Sequence, residues 1–279
     1  MFTNKDIAKH FELCEEHYKN WWKLNKSKSM HYGYWDENTK NLSEALYNIN
    51  KVMKDRAGIT SNMNVLDAGC GVGGSSIWLG SHIGCSVIGI SLSAKQVNSA
   101  SKFAESVGLS EKVTFAQQDY CNTDFPNESF DIVWAIESVC YAKEKLDFLS
   151  EAYRLLKPGG KLIVADFFEK KGLTGIDKRQ MAKMAYGWAI NEFATIEDFA
   201  LDASEAGFKN FEVENISKQI SPSAKRLFHY SYPGLILTKI YDFLFNASEL
   251  SKHHTRTINI QYPALKKGLW QYFLFVAEK

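Results

Sequence analysis

The stretch that most constrains the fold is NVLDAGCGVGGSSIWLG, Asn64 to Gly80. A short apolar run, Val65-Leu66, leads into Gly69, Gly71, Gly73 and Gly74, and a helical pattern follows. Strand, glycine turn and helix in that order open a βαβ unit, with backbone able to approach a ligand closely. Two registers are legible. Gly69-x-Gly71-x-x-Gly74 satisfies the dinucleotide fingerprint, whereas Asp67-x-Gly69-x-Gly71-x-Gly73 is a different loop with a different ligand. A dinucleotide site wants an acid about 20 positions further on for the ribose. Here the second strand ends VIGISLS, with no acid, and Asp67 stands where a pyrophosphate would be repelled. Asp67 suits instead a role in ordering the loop or holding an ammonium group through water.

Strand and helix patterns alternate from about residue 63. NVLDA, CSVIGIS, KVTFAQQD, FDIVWAIE and KLIVADFF read as strands, and NFEVENI and LWQYFLFVAEK as two final ones. SSIWLGSHI reads as a helix. SAKQVNSASKFAESVG is a helix capped by Ser93 and stopped at Gly108, and TIEDFALDASEAG one capped by Thr195 and stopped at Gly207. KLDFLSEAYRLLKPGG is a helix closed by Pro158-Gly159-Gly160. Repeated strand–helix units predict an α/β fold: a Rossmann-like, mostly parallel seven-stranded sheet with helices on both faces. Its ligand site belongs at the carboxyl ends of the strands, at the switch point beside the first strand.

Three segments exceed that layout: 1–62, 169–194 and 217–268, all rich in aromatics, including Trp21, Trp22, Trp188, Tyr230, Tyr241 and Phe245. Long insertions are usually functional. The expected organisation is an N-terminal helical lid over 1–62 and a core over 63–279, with substrate-lid insertions at 169–194 and a helical one at 217–268 before the last strand. Extra core or an oligomer contact is the competing reading for any single aromatic.

Gross composition narrows the class. A net charge of +1 gives no overall field for nucleic acid or membrane. The five cysteines form no CxxC pair and read as reduced thiols. The N-terminus is not patterned as a signal peptide, and no apolar run reaches the roughly 20 residues that span a bilayer. A cytoplasmic protein without stable membrane insertion is expected, with a homodimer as the candidate assembly. His253-His254 lacks an evident third ligand nearby, so no metal site is expected.

VLDAGCGVGG, QQD ending the third strand, FDIVWAIES and LLKPGGKLIVAD, in this order and spacing, resemble the seven-stranded (class I) S-adenosylmethionine-dependent methyltransferases over roughly residues 40–215. GISLSAKQ (Gly89–Gln96) and AIESVCYA (Ala135–Ala142) resemble the branch containing the sterol, tocopherol and cyclopropane-fatty-acid enzymes, with Tyr141 where the sterol pattern has a histidine. The resemblance implies S-adenosylmethionine as cofactor. It implies that Gly69 and Gly71 approach its methionine part, with the Cys70 carbonyl available to the ammonium and Asp67 and Ala135 nearby. It places Gln96 on the ribose, helped by Ser91 and Leu92, although Ser93-x-x-Gln96 is also a capping box. It places Asp119 on the adenine amino group and Tyr120 against the ring.

The cofactor's methyl group arrives activated, so the protein must align the acceptor and exclude water. A base is needed only if the acceptor carries a proton that must leave. Glu137, closing the fourth strand, is the leading catalytic candidate; it accepts a proton, offsets a developing cation, or is a structural carboxylate. The segment MHYGYWDE (Met30–Glu37) resembles the branch's fold-over segment. It offers Tyr32 as a cation-facing ring or lid core, and His31 as a second candidate base; Tyr141 is another candidate. The 217–268 insert carries eight Lys or Arg against Asp242 and Glu249. It suits an anionic substrate, a membrane surface, or only solvent. The expected function is methylation of carbon or oxygen in a small, mostly apolar or aromatic natural product. N-methylation of an amine, and cofactor binding without turnover, are the alternatives. Nucleic acid is not expected as a substrate.

Overall fold

The computed structural model describes residues 1–21, 28–229 and 249–279, with side chains described except at 13–21 and 249–256. α1 (Asn4–Trp21) and α2 (Leu42–Ala57) precede β1 (Asn64–Ala68). There follow α3 (Gly74–Trp78), β2 (Ser86–Ser91), α4 (Ala94–Ser106), β3 (Val113–Gln117) and β4 (Phe130–Ile136). Then come α5 (Lys145–Leu155), β5 (Leu156–Glu169), α6 (Gly175–Gly187), α7 (Ile196–Glu205) and β6 (Lys209–Asn215). Helical residues 217–229 (α8), α9 (Glu249–Lys266) and β7 (Trp270–Glu278) complete the described chain.

The seven strands form one sheet in the order β3-β2-β1-β4-β5-β7-β6. β1 through β5 pair in parallel, and β7 runs antiparallel between β5 and β6. The chain order reverses between β1 and β4, which opens a crevice at their carboxyl ends. Period-two alternation sends Val65, Ile132, Trp134 and Ile163 into one core layer, and Leu66, Val133, Ala135 and Val164 into the other. The sheet is therefore buried on both faces, as parallel strands require.

Caps fix where the helices begin. The Ser93 side chain accepts from Gln96 N, and Thr195 does the same for Asp198 N. Gly108 and Gly207 follow in the left-handed conformation. Two boundaries differ from the sequence expectation. SSIWLGSHI is not one α-helix: after Trp78 it widens into a π-helical turn, Leu79–Ile83. Gly80 lies in that turn so close to β3 that a Cβ would stand 2.3 Å from Val113 Cγ2. α5 ends at Leu155, because Pro158 disfavours helix at Lys157, and Leu156 already pairs with Phe130.

Trp188 and Phe193, from the 169–194 insertion, are buried against Phe167. Tyr186 stays exposed and packs on Phe2 at 5.3 Å between ring centroids. The side chain of Trp21, and all of Trp22, Tyr230, Tyr241 and Phe245, lie outside the described residues, as do the His253 and His254 side chains. Among the described residues no helix is long and apolar enough to cross a membrane, and no cluster of side chains could hold a metal.

Candidate active site

The glycine loop is shaped by close approach. Gly69 has φ +91°, and a Cβ there would stand 2.4 Å from Ser138 Cβ. Ser138 Oγ donates to the Ala68 carbonyl at 2.6 Å, so the β4 end is tied to the β1 end across the crevice. Gly69 N and Cys70 N donate to the Ile90 carbonyl at 3.0 and 2.9 Å. The Cys70 carbonyl accepts from Gly73 N at 2.9 Å and keeps a second lone pair for a ligand. Beside Gly71 (φ +54°), among the described residues, only the Met30 sulfur comes within contact range of a Cβ at that position, at 3.8 Å. Asp67 is buried and accepts from Ser76 Oγ at 2.5 Å, joining β1 to α3 beneath the loop. Burial raises its pKa to about 6. Burial also pushes the Cys70 thiol well above its ordinary value.

At the β2 end, Ser91 Oγ donates to Gln96 Oε1 at 2.7 Å, and Gln96 Nε2 lies 3.8 Å from the Met30 sulfur. The Gln96 side chain therefore points across to Ser91 and does not close a capping box, although its backbone N–H is capped by Ser93 at 3.3 Å. The Leu92 carbonyl accepts from Gln117 Nε2 at 3.0 Å. At the β3 end, Asp119 Oδ1 accepts from Cys121 N at 2.9 Å. The Tyr120 ring turns inward against Phe148, and its hydroxyl donates to the Ser138 carbonyl at 2.7 Å. Ala135 is wholly buried in β4, two residues before Glu137.

Glu137 stands just past β4 with φ +48°, a strained conformation for a residue with a side chain. Its Oε1 accepts from Tyr32 N at 2.7 Å and from the Tyr272 hydroxyl at 2.9 Å. Burial raises its pKa to about 8, and repulsion from Asp166 adds to this. Tyr32 is pinned in turn: its hydroxyl donates to Gln261 Oε1 at 2.7 Å, and its ring meets Phe167 edge-on at 5.6 Å. His31 is buried with Nδ1 2.9 Å from the Tyr32 carbonyl oxygen. Burial drops its pKa to about 4, so it is neutral near pH 7 and a weak proton acceptor. Tyr141 lies edge-on to Phe11 of α1 at 5.1 Å between ring centroids.

The structure thus gathers Tyr32, His31 and Glu137 at the β4 end, with Ala135 in β4 and Tyr141 just beyond it, and Asp67, Gly69, Cys70, Gly71, Ser91, Leu92, Gln96, Asp119 and Tyr120 along the neighbouring ends of β1, β2 and β3. Sequence reasoning missed Tyr272, which bonds Glu137, and Gln261, which anchors Tyr32. It also missed Asp166, a buried carboxylate that accepts from Cys140 N at 2.9 Å. Only the insertion of β7 beside β5, with Tyr272 opposite Phe167, brings the first of these to the site.

The donors, acceptors and Cβ-free loop fit S-adenosylmethionine. Gly71 leaves room for backbone approach, and polar groups for an ammonium, a ribose and an adenine follow one another across β1, β2 and β3. Residues 66–164 match the family model described as a methyltransferase domain. The chain is 27% identical over 221 residues to 27-O-demethylrifamycin SV methyltransferase of Amycolatopsis mediterranei, covering 79% of this chain and 80% of that protein. It is 32% identical over 219 residues to a sterol 24-C-methyltransferase of Pneumocystis carinii, covering 76% of this chain but 56% of that protein. The cyclopropane synthase MmaA2 of Mycobacterium tuberculosis superposes with a TM-score of 0.84 at 16% identity, over 100% of this chain and 99% of that one. The strand order, the glycine loop and these relatives agree: the chain is a class I, seven-stranded S-adenosylmethionine-dependent methyltransferase.

Proposed function

We propose that this methyltransferase acts on carbon or oxygen of a small, mostly apolar or aromatic molecule, and that Glu137 serves the acceptor. The carrying observation is the Glu137 carboxyl group, fixed through Oε1 by Tyr32 N and the Tyr272 hydroxyl among buried aromatic rings. S-adenosylmethionine supplies a methyl group already activated on a sulfonium sulfur. Gly69, Cys70 and Gly71 would hold its methionine end, Ser91, Leu92 and Gln96 its ribose, and Asp119 and Tyr120 its adenine, with Asp67 and Ala135 supporting the loop and the β4 end. Glu137 then takes the proton of a hydroxyl acceptor, or offsets positive charge that develops on a carbon acceptor. His31, neutral and buried, serves to position Tyr32 through its carbonyl. The rifamycin and sterol relatives carry O- and C-methyltransferase names, which supports this acceptor range.

Within residues 1–62, α1 acts as a lid in this reading, supported by its side chains that reach the β2 and β3 ends, whereas α2 is core, with Leu46, Ile49 and Met53 buried against the sheet. The substrate-lid role of 169–194 is weakened by the burial of Trp188 and Phe193, while most of the 217–268 insert's aromatics lie outside the described residues. We place the enzyme in the cytoplasm, with a homodimer as its assembly, to be checked by sedimentation. The function is tested with methyl-labelled S-adenosylmethionine, the purified protein and a fractionated cell extract. Label in organic-soluble small molecules is the expected result. Label in aqueous amines would favour N-methylation, and label in RNA or protein would overturn the reading.

A further inference from the structure

The adenosine cradle lacks a carboxylate at the end of β2, where the strand closes in Ser91, Leu92 and Ser93. In nucleotide-binding sheets an acid at that point accepts the ribose hydroxyls. The structure brings a carboxylate there from elsewhere in the chain. Glu12, on α1, has Oε1 2.8 Å from Ser93 Oγ, which donates to it. Its second oxygen has no hydrogen-bond partner among the described residues. Two turns earlier on the same helix, Asn4 Nδ2 donates to Asp119 Oδ2 at 2.5 Å, at the β3 end. Eight residues of helix span roughly 12 Å, on the scale of an adenosine. The N-terminal segment then reaches the glycine loop, where the Met30 sulfur faces Gly71 and Gln96. Asn4, Glu12 and Met30 thus stand at successive points of the cradle, from adenine end to methionine end.

We propose that Glu12 supplies, from the N-terminal helix of the same chain, the acid that β2 lacks, accepting the ribose hydroxyls of the cofactor beside Gln96. Asn4 sets the register by docking α1 on Asp119. The inference rests on Gln96 and Asp119 forming the adenosine cradle. A carboxylate carried on a docked helix, and not on the sheet, makes recognition of the ribose depend on closure of α1.

Calorimetric titration with S-adenosylhomocysteine and with its 2′,3′-dideoxy analogue separates this contact from mere docking. A lost hydrogen bond to a charged group corresponds to about a ten- to hundredfold change in affinity. Glu12→Gln is expected to weaken S-adenosylhomocysteine by about tenfold, toward the low end because Glu12 is exposed. It should leave the dideoxy analogue unchanged, and Glu12→Asp should retain part of the preference. Asn4→Ala, which loosens the docking that carries Glu12, should likewise weaken S-adenosylhomocysteine more than the dideoxy analogue. Equal loss of both ligands in Glu12→Gln, or no loss of either, overturns the assignment. Failure of the wild-type protein to bind S-adenosylhomocysteine would instead strike at the cradle itself.

Discussion

Glu137 combines backbone strain, burial and two hydrogen bonds on a single oxygen. A group raised to about 8 keeps its proton in the folded enzyme where the unfolded chain, near 4.5, has released it. Its contribution to stability is thus fully present below about pH 4.5 and is lost as pH rises toward 8. Glu137→Gln removes that penalty. Thermal melts should show the variant more stable than wild type at pH 9 and level with it at pH 4, while methyl transfer falls at least tenfold. Tyr272→Phe removes a bond that favours the charged carboxylate, so the alkaline rise of the rate profile should move to higher pH. An unmoved profile would show that Glu137 does not titrate in the reaction. Glu137 was legible as a lone acid closing an apolar strand. Tyr272 was not, because its partner lies 135 positions away and is reached only through the β5–β7 pairing.

At the scale of elements, local chemistry wrote most of the fold. Ser93, Thr195, Gly108 and Gly207 mark helix ends by capping and left-handed turns, which are properties of a few adjacent residues. The π-helical turn after Trp78 was hidden, since it answers to the approach of Val113, a contact the local pattern does not carry. The Gln96 side chain likewise follows Ser91 and Met30, not the cap its spacing suggested. The glycine loop gives a prediction at this scale. Gly69→Ala places a Cβ against Ser138 in a left-handed conformation. It should cost at least about 2 kcal/mol in unfolding and abolish S-adenosylhomocysteine binding. A variant that melts and binds like wild type would remove the close-approach argument.

For the molecule as a whole, α2 belongs to the core of the sheet through Leu46, Ile49 and Met53, while α1 is laid over the strand ends. Among the described side chains of α1, Ile7 and His10 are buried, Phe11 packs edge-on to Tyr141, and Asn4 and Glu12 bond polar groups of the cradle. Deleting residues 1–21 should therefore weaken S-adenosylhomocysteine by tenfold or more while leaving a cooperative, only modestly lowered melt. Loss of the melting transition would make α1 part of the core. Residues 1–62 were readable as a segment in excess of the sheet, but not the placing of α1 across the ends of β2 and β3. The basic character of 217–268 was legible as charge alone, and Lys225 is exposed on α8.

The central proposal is that the Glu137 carboxyl group serves the acceptor at the point of methyl transfer, which requires it to lie beside the cofactor's sulfur. Calorimetric binding in buffers of different ionisation enthalpy, near pH 7.5, counts protons released on binding. A sulfonium beside Glu137 lowers its pKa, so S-adenosylmethionine should release protons that S-adenosylhomocysteine, whose sulfur is neutral, does not. Glu137→Gln should abolish the difference. Equal proton release with both ligands, or a difference that survives in Glu137→Gln, would contradict the account.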